Sequence, residues 1–162
     1  MDTIVIRPIK QQDNPSIAAI IRGVFDELNA PKTGTAYADP ILDTLSTAYE
    51  GVKSVYYVAV INGEVVAGAG IAALENGPNG VCELQKMYAS SAARGRGVGA
   101  KLIEACLGAA ADFGYSQCYL ETLPYMKAAQ KLYKKHGFQY LDAPLGNTGH
   151  SSCPVWMIKE LV

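Results

Sequence analysis

The sequence predicts a single α/β (α+β) domain in which about four helices flank a mixed, mostly antiparallel sheet of six to seven strands. Three observations support this. Strand-like runs and helical apolar stripes alternate in the order β-α-α-β-β-β-α-β-α-β-β. Asn62-Gly63 joins two of three consecutive strands as a two-residue hairpin turn. The 162 residues are about one domain in size, and no repeat or linker divides residues 1–162.

The first third of the chain combines one strand with two helix starts. Asn14 and Asp39 are of the residue types that cap helices, and each precedes a proline suited to a first helical turn. An apolar stripe with i, i+3, i+4 spacing follows the first of these signals. The predicted elements are a strand Thr3–Arg7, a helix from Asn14, its N-cap, to Leu28, and a helix from Asp39-Pro40 to about Tyr49.

The rest of the chain begins with the three-stranded meander and then alternates between helix and strand. β-branched and aromatic residues mark the strands, and the hydrophobic period becomes helical after Gly97. Gly114 and Gly137 are placed to end helices. The predicted elements are strands Ser54–Ile61, Glu64–Leu74 and Val81–Ala89, helix Gly97–Phe113, strand Gln117–Thr122, helix Pro124–His136, and strands Phe138–Leu141 and Pro154–Lys159.

The composition excludes several functional classes. The 49% hydrophobic content is too high for a disordered chain. With 14 Lys+Arg against 15 Asp+Glu, the chain lacks the basic excess of a nucleic-acid-binding protein. No apolar run approaches the roughly 18–20 residues that span a membrane, and Met1-Asp2-Thr3 does not begin a secretory signal. We therefore expect a cytoplasmic location and four reduced cysteines, with no nucleic-acid or membrane partner.

The segment Arg94–Gly99 predicts an anion site. Its three glycines lie at the start of a helix and allow a ligand to approach the backbone. Helix N-terminal amides lack internal partners and, with the helix dipole, attract phosphate. Arg94 and Arg96 add positive charge. A glycine-rich turn that keeps its arginines for solubility would show the same pattern.

Two nucleotide-binding patterns compete for this loop. A Walker loop requires Lys followed by Ser or Thr, and Lys101-Leu102 does not provide it. The relaxed dinucleotide pattern GxGxxA is met by Gly95, Gly97 and Ala100, with Glu121 about 20 residues further on. However, about 40 residues after Glu121 are too few to complete a dinucleotide domain. A dinucleotide-binding module is therefore the weaker interpretation.

Two motifs together resemble the GNAT superfamily of N-acetyltransferases. Arg94, Gly97 and Gly99 match its acetyl-CoA pattern [Q/R]xxGx[G/A]. The segment AAQKLYKKHGF, Ala128–Phe138, is similar to its second signature, AxxLYxxxGF, which begins here at Ala129. The element order is also similar along nearly the whole chain.

The resemblance implies that acetyl-CoA is the cosubstrate and that no metal takes part. Backbone amides of the loop would bind the CoA pyrophosphate. The preceding strand, around Met87 and Tyr88, would diverge from its neighbour, pair with pantetheine and polarise the thioester carbonyl. The residues implied for cofactor binding are Met87, Tyr88, Arg94, Gly95, Arg96, Gly97, Val98, Gly99 and Ala129.

Acetyl transfer to an amine needs a base and benefits from an acid. An ammonium with a pKa of about 10.4 must lose a proton before it attacks. Glu83 lies 11 residues before Arg94, the spacing of the catalytic glutamate in the histone-acetyltransferase branch, and is the candidate base. Tyr133 matches the family's acid for the departing thiolate. The alternative interpretations are a solvated glutamate, or one paired with Lys86 or Lys101, and a core tyrosine.

The acceptor itself cannot be identified from the sequence, and the resemblance allows a small-molecule or peptide amine. Tyr37, Glu121 and His150 are candidates for acceptor binding, because they lie near strand ends or in polar loops. The pair His150 and Cys153 provides too few ligands for a zinc site. A non-enzymatic acyl-CoA sensor of the same fold is an alternative function, and homodimers are common in the family.

Overall fold

A computed structural model describes residues 3–33, 35–147 and 153–161 of the chain. Their backbone forms a seven-stranded sheet in the order β1-β2-β3-β4-β5-β7-β6. Only β4 and β5 are parallel neighbours; the other pairs are antiparallel. This arrangement confirms the predicted mixed, mostly antiparallel fold. The strands are β1 (Ile4–Pro8), β2 (Val55–Ile61), β3 (Glu64–Ala73), β4 (Val81–Ala89), β5 (Gln117–Thr122), β6 (Gln139–Leu141) and β7 (Val155–Glu160).

Helices cover both faces of the sheet, because successive strand residues face opposite ways. Val58 of β2 packs in one cluster with Ile17, whereas the next residue, Ala59, packs with Leu102 in another. All four residues are at most 1% exposed. The four helices are α1 (Asn14–Leu28), α2 (Leu45–Ala48), α3 (Val98–Asp112) and α4 (Lys127–Lys135). None of the helices in the described ranges is long and apolar enough to cross a bilayer.

The second predicted helix is largely replaced by a 3-10 segment. Asp39 starts it as expected, since its carboxylate accepts a hydrogen bond from the Ile41 amide at 3.0 Å. The chain then forms a 3-10 turn over Pro40–Thr44, and only α2 is α-helical. Thr44, with φ −131° and ψ 38°, separates the two pieces.

Two predicted helix starts are also wrong. Asn14 is the first residue of α1 rather than its N-cap, a position that Asp13 takes. The Asn14 side chain instead holds α2: its Oδ1 accepts from the Ser46 amide at 2.8 Å, and its Nδ2 donates to Ser46 Oγ at 3.0 Å. The last helix begins at Lys127 rather than Pro124, because Met126 is not helical at φ −84° and ψ 61°.

Candidate functional site

Strands β4 and β5 separate in the middle of the sheet. Their parallel pairing runs from Val81–Gln117 to Glu83–Tyr119, and no later pair joins them among the described residues. Beyond Glu83 a narrow cavity of about 30 Å³ lies between the strands. It is lined by Leu84, Lys86, Met87, Tyr88, Leu120, Glu121, Thr122, Leu123, Met126, Tyr133 and Cys153. Glu83 therefore marks the point where the sheet opens.

A bulge in β4 accompanies this opening. Lys86 has a positive φ of 50°, and the β3–β4 register shifts between Gly68 and Gly70. The Tyr56 hydroxyl donates to the Lys86 carbonyl at 2.8 Å, and Lys86 Nζ lies 3.0 Å from the Asp39 carboxylate. Contacts from β2 and from the loop before α2 thus hold the bulged residue. The sequence reveals neither contact, since the partners are far apart in the chain.

Glu83 is a buried carboxylic acid with one neutral hydrogen-bond donor. It is 4% exposed, and Gln85 Nε2 donates to its Oε1 at 2.7 Å. Burial, which disfavours the charged form, raises the pKa of Glu83 to about 7. The Gln85 hydrogen bond opposes this rise, and the nearby charge of Glu121 adds to it. The carboxyl group can therefore exchange a proton near neutral pH.

The raised pKa of Glu83 predicts that stability falls between about pH 4.5 and 7. The unfolded chain releases this proton near the ordinary value of 4.5, whereas the folded chain holds it to about 7. In this window the folded state binds more protons, so the free energy of unfolding decreases as pH rises. Glu83→Gln removes the titration. We expect urea unfolding to show Glu83→Gln gaining stability over the native chain from about pH 5 to about pH 8; a constant difference would contradict this.

Tyr133 forms another wall of the cavity, on α4. It is 6% exposed, and its ring packs against Phe138 with centroids 5.9 Å apart. Burial raises the pKa of Tyr133 well above its usual value, so the hydroxyl keeps its proton at neutral pH. This hydroxyl has no hydrogen-bond partner among the described residues. It can therefore donate to a group that enters the cavity.

The glycine-rich loop forms the N-terminal turn of α3. Gly95 and Gly97 have φ of 77° and 75°, a left-handed conformation that favours glycine. Gly97 is the N-cap of α3, whose first residue, Val98, is buried. Gly99 has a packing role: a Cβ there would lie 2.7 Å from Leu132 Cδ2 of α4. The first amides of α3 therefore lie in an exposed turn and lack helical partners.

The two arginines of the loop have different surroundings. The Arg94 guanidinium forms an ion pair with Glu27 of α1 and donates to the Ala89 carbonyl at 3.3 Å. Arg96 is exposed and lies beside the Asn62-Gly63 hairpin turn. The charge of Arg94 is thus already balanced by a side chain of α1.

The remaining candidates lie at varying distances from the cavity. Glu121 lines it and accepts a hydrogen bond from the Tyr119 hydroxyl at 2.6 Å. Tyr88 also lines the cavity, and its ring packs against Phe25 with centroids 5.4 Å apart. Tyr37 lies outside the cavity and packs against the same Phe25 ring with centroids 6.0 Å apart. Ala129 packs against the core beneath α4. His150 lies outside the described residues.

Glu121, Met87, Tyr88 and Tyr133 thus line one cavity, and Glu83 lies at the last β4–β5 pair beside it. The start of α3 is adjacent, since Met87 Cε approaches Gly99. No sequence pattern indicates that Lys86 and Cys153 line this cavity or that Gln85 bonds Glu83. Within the described ranges, no group of three or more His, Cys, Asp and Glu side chains could hold a metal ion.

Comparison with known proteins identifies the family. The model of the Acetyltransferase (GNAT) family matches residues 21–138. The chain is 45% identical over 159 residues to YjgM, an uncharacterised N-acetyltransferase of Escherichia coli, covering 97% of this chain and 95% of YjgM. These matches confirm the superfamily that the two motifs predicted.

Solved structures share the fold. An acetyltransferase of the GNAT family from Staphylococcus aureus matches with a TM-score of 0.88 at 19% identity, covering 99% of this chain and 100% of that one. A phosphinothricin acetyltransferase from Sinorhizobium meliloti, solved in complex with AcCoA, matches with a TM-score of 0.78 at 23% identity, covering 98% and 88%. The chain therefore belongs to the Acetyltransferase (GNAT) family and is an acetyl-CoA-dependent acyltransferase.

Proposed function

We propose that this chain transfers the acetyl group of acetyl-CoA directly to a primary amine of a small molecule or peptide, in a ternary complex of enzyme and both substrates. The observation that carries the proposal is Glu83: a buried acid with a pKa of about 7, placed where β4 and β5 open into the cavity. A cytoplasmic location, where CoA is available, is part of the proposal.

Glu83 is the proposed general base. The acceptor arrives as an ammonium with a pKa of about 10.4. The pKa of the ammonium exceeds that of the Glu83 carboxylate by about 3, whereas it exceeds that of an ordinary glutamate by about 6. The raised pKa of Glu83 therefore makes the proton transfer less unfavourable. The freed amine attacks the thioester carbonyl and the C–N bond forms. The C–S bond then breaks, the CoA thiolate leaves, and the nitrogen loses its second proton to solvent to give the neutral amide.

Tyr133 is proposed to stabilise that thiolate. A thiol has a pKa of about 8.5, well below that of the buried tyrosine. Complete proton transfer from Tyr133 is therefore unfavourable, whereas a hydrogen bond from its hydroxyl to the sulfur is not. We propose the hydrogen bond as its main contribution, with the final proton of the thiol coming from Glu83 or from solvent.

Cys153 supports direct transfer rather than an acetyl-cysteine intermediate. It is the cysteine that lines the cavity. Burial raises the pKa of its thiol to about 12, and the thiol is the poorly nucleophilic form of cysteine. A covalent intermediate would need the thiolate, so the amine is the more reactive nucleophile at this site.

The start of α3 is the proposed site for the CoA pyrophosphate. Two left-handed glycines and the free first amides of a 15-residue helix form an exposed turn that suits an anion. Met87 and Tyr88, on the open edge of β4, are proposed to pair with pantetheine. Ala129 is proposed to leave room for the cofactor beside α4.

Replacing Gly97 with alanine is expected to weaken both the fold and acetyl-CoA binding. The left-handed conformation at φ 75° would cost alanine about 1 kcal/mol, and relief of that strain would move the phosphate-binding amides. Isothermal titration calorimetry and thermal melting measure the two effects. Gly108→Ala is the matched control, because Gly108 lies within α3 and has open space around a new Cβ. This variant should gain about 0.5–1 kcal/mol of stability and should bind acetyl-CoA with normal affinity. Equal affinity in the two variants would contradict the assignment.

Two experiments test the proposed function. In thermal melting, acetyl-CoA at about 100 times its dissociation constant should stabilise the chain by roughly 2.7 kcal/mol, a rise of about 5–10 °C, whereas NADH and ATP should not. Release of CoA is then followed with a thiol reagent across primary amines, including diamines, amino acids and peptides. Turnover with an amine supports the proposal. CoA binding without turnover on the whole panel, or a shift with NADH or ATP alone, overturns it.

A further inference from the structure

The Glu83 carboxylate is reached by a chain of two hydrogen bonds that begins outside the sheet. The Tyr49 hydroxyl, directly after α2, donates to Gln85 Oε1 at 2.5 Å. The other end of the same amide, Gln85 Nε2, donates to Glu83 Oε1 at 2.7 Å. Neither Tyr49 nor Gln85 carries a charge at neutral pH, and neither belongs to the two family motifs.

The two hydrogen bonds of Gln85 are matched in direction. A side-chain amide presents an acceptor on one side and donors on the other. Because Tyr49 donates to the oxygen of Gln85, the NH₂ group must face Glu83. A flipped amide would present its oxygen to the carboxylate and repel the ionised form. The ionised carboxylate, which only accepts, and the Tyr49 hydroxyl, which donates to the amide oxygen, together stabilise the orientation that favours the charged form of Glu83.

Tyr49 is itself held rigidly. It is 7% exposed, and its ring packs on Tyr56 with centroids 5.3 Å apart. A Cβ at Gly70 would lie 3.0 Å from Tyr49 Cε1, so the ring lies directly over β3. The preceding helix, α2, is fixed to α1 through Ser46 and Asn14. The donor that orients Gln85 has little freedom to move.

We propose that Tyr49 and Gln85 are positioning residues for Glu83: the tyrosine hydroxyl fixes the Gln85 amide, and the amide holds the carboxylate of the base ready to accept a proton. The inference rests on the proposed function of Glu83 as the base. It adds that α2, outside both family motifs, sets the protonation behaviour of the site.

Other groups also face Glu83 and must stay constant in a test. Lys86 on its own strand, Glu75 after β3, Glu121 and Tyr119 in β5, and Cys153 before β7 interact with it electrostatically. Tyr49→Phe and Gln85→Leu change none of these groups, and both remove uncharged atoms. Burial keeps the pKa of Tyr49 well above its usual value, so the hydroxyl is protonated throughout the test range.

The test measures the Glu83 titration directly by NMR of the chain labelled with ¹³C at the glutamate carboxyl groups, with Glu83→Gln to assign the signal. No acceptor is needed. Gln85→Leu should raise the midpoint by about one pH unit, since it removes the hydrogen bond that favours the charged form. Tyr49→Phe should shift it in the same direction, since it removes the hydrogen bond that orients the Gln85 amide. The matched control is Tyr115→Phe, which loses a hydroxyl bonded to the Lys53 carbonyl and packs in the cluster on the α3 face. It should leave the midpoint unchanged.

The double variant Tyr49→Phe/Gln85→Leu distinguishes a chain from two separate effects. If Tyr49 acts through Gln85, the tyrosine change adds nothing once Gln85 is gone. Equal shifts from Tyr49→Phe in both backgrounds, or an unchanged midpoint in either single variant, overturn the inference. If Tyr49→Phe does not fold, Gln85→Leu alone still tests whether the Gln85 amide sets the titration of Glu83.

The kinetic profile separates this inference from the proposed function. With the best amine of the panel, the rising limb of kcat/KM against pH should shift to higher pH in both single variants, by the same amount as the NMR midpoint. If Glu83→Gln retains full turnover while the midpoints shift as expected, the base assignment fails and the positioning of Glu83 stands. If Glu83→Gln is inactive and the midpoints do not move, the positioning inference fails by itself.

Discussion

Replacing Glu83 with glutamine is expected to lower kcat/KM for acetyl transfer by about 100- to 10,000-fold at pH 7, the usual contribution of a general base. The substitution keeps the size of the side chain and can keep a hydrogen bond with the Gln85 amide. It removes the group that takes the ammonium proton. Because the acceptor ionises near pH 10.4, the loss should shrink at alkaline pH, where free amine becomes abundant without a base. The measurement is CoA release from about pH 6 to pH 10 with the best acceptor.

Two further readouts make this result specific. Acetyl-CoA binding should be unchanged in Glu83→Gln, since the proposed cofactor contacts lie at the start of α3 and along the open edge of β4. The control variant is Glu50→Gln, which neutralises an exposed glutamate after α2 and should retain full activity. An unchanged rate in Glu83→Gln at pH 7 would show that another group or water accepts the proton.

The parts of the site that the sequence predicts are those determined by local spacing. Glu83 is a candidate because it precedes Arg94 by 11 residues, the spacing in the histone-acetyltransferase branch, and its role stays a prediction. The glycine-rich start of α3 is found because glycine, a helix N-terminus and an apolar stripe occur together within one short segment. Strand order follows less directly, but turns such as Asn62-Gly63 indicate the antiparallel neighbours.

The contacts that the sequence does not predict join residues about 30 or more positions apart. Tyr49 and Gln85 are separated by 36 residues, and Tyr56 and Lys86 by 30. Both contacts reach β4 beside its bulge, and a register change of one residue turns each strand side chain to the opposite face. No local pattern marks this bulge, because Lys86 is not a glycine although its φ is positive.

Charge is likewise misjudged when only neighbours in sequence are considered. Arg94 and Arg96 look equivalent beside the glycines, yet the fold brings Glu27, 67 residues away, to Arg94. The pair lies at the surface, where ion pairs contribute little to stability. Its consequence for the loop is orientation: the Arg94 guanidinium is directed toward Glu27 of α1, whereas Arg96 lies beside the Asn62-Gly63 turn.

Replacing Gly68 with alanine is expected to destabilise the chain by about 2–3 kcal/mol, the upper part of the range for an overpacked core. A Cβ at this position would lie 2.5 Å from Tyr56 Cε1, 2.6 Å from Tyr56 Oη and 2.8 Å from Ile17 Cδ1. Tyr56 is 1% exposed and cannot simply move outward. For a chain of this size the melting temperature should fall by roughly 5–10 °C. Gly23→Ala, an exposed α1 position with open space, is the control and should be slightly stabilising.

The same substitution tests how the core supports the site. Tyr56 crosses β3 over Gly68 to reach the Lys86 carbonyl, so a displaced ring would lose this hydrogen bond to the bulge beside the cavity. Acetyl-transfer activity of Gly68→Ala should therefore fall even at temperatures where the variant is fully folded. Tyr56→Leu should lose the same hydrogen bond without the clash, and the double variant Tyr56→Leu/Gly68→Ala should be more stable than the sum of the two changes predicts. Strict additivity would mean that Gly68 and Tyr56 act separately, and that the bulge at Lys86 is held without the tyrosine.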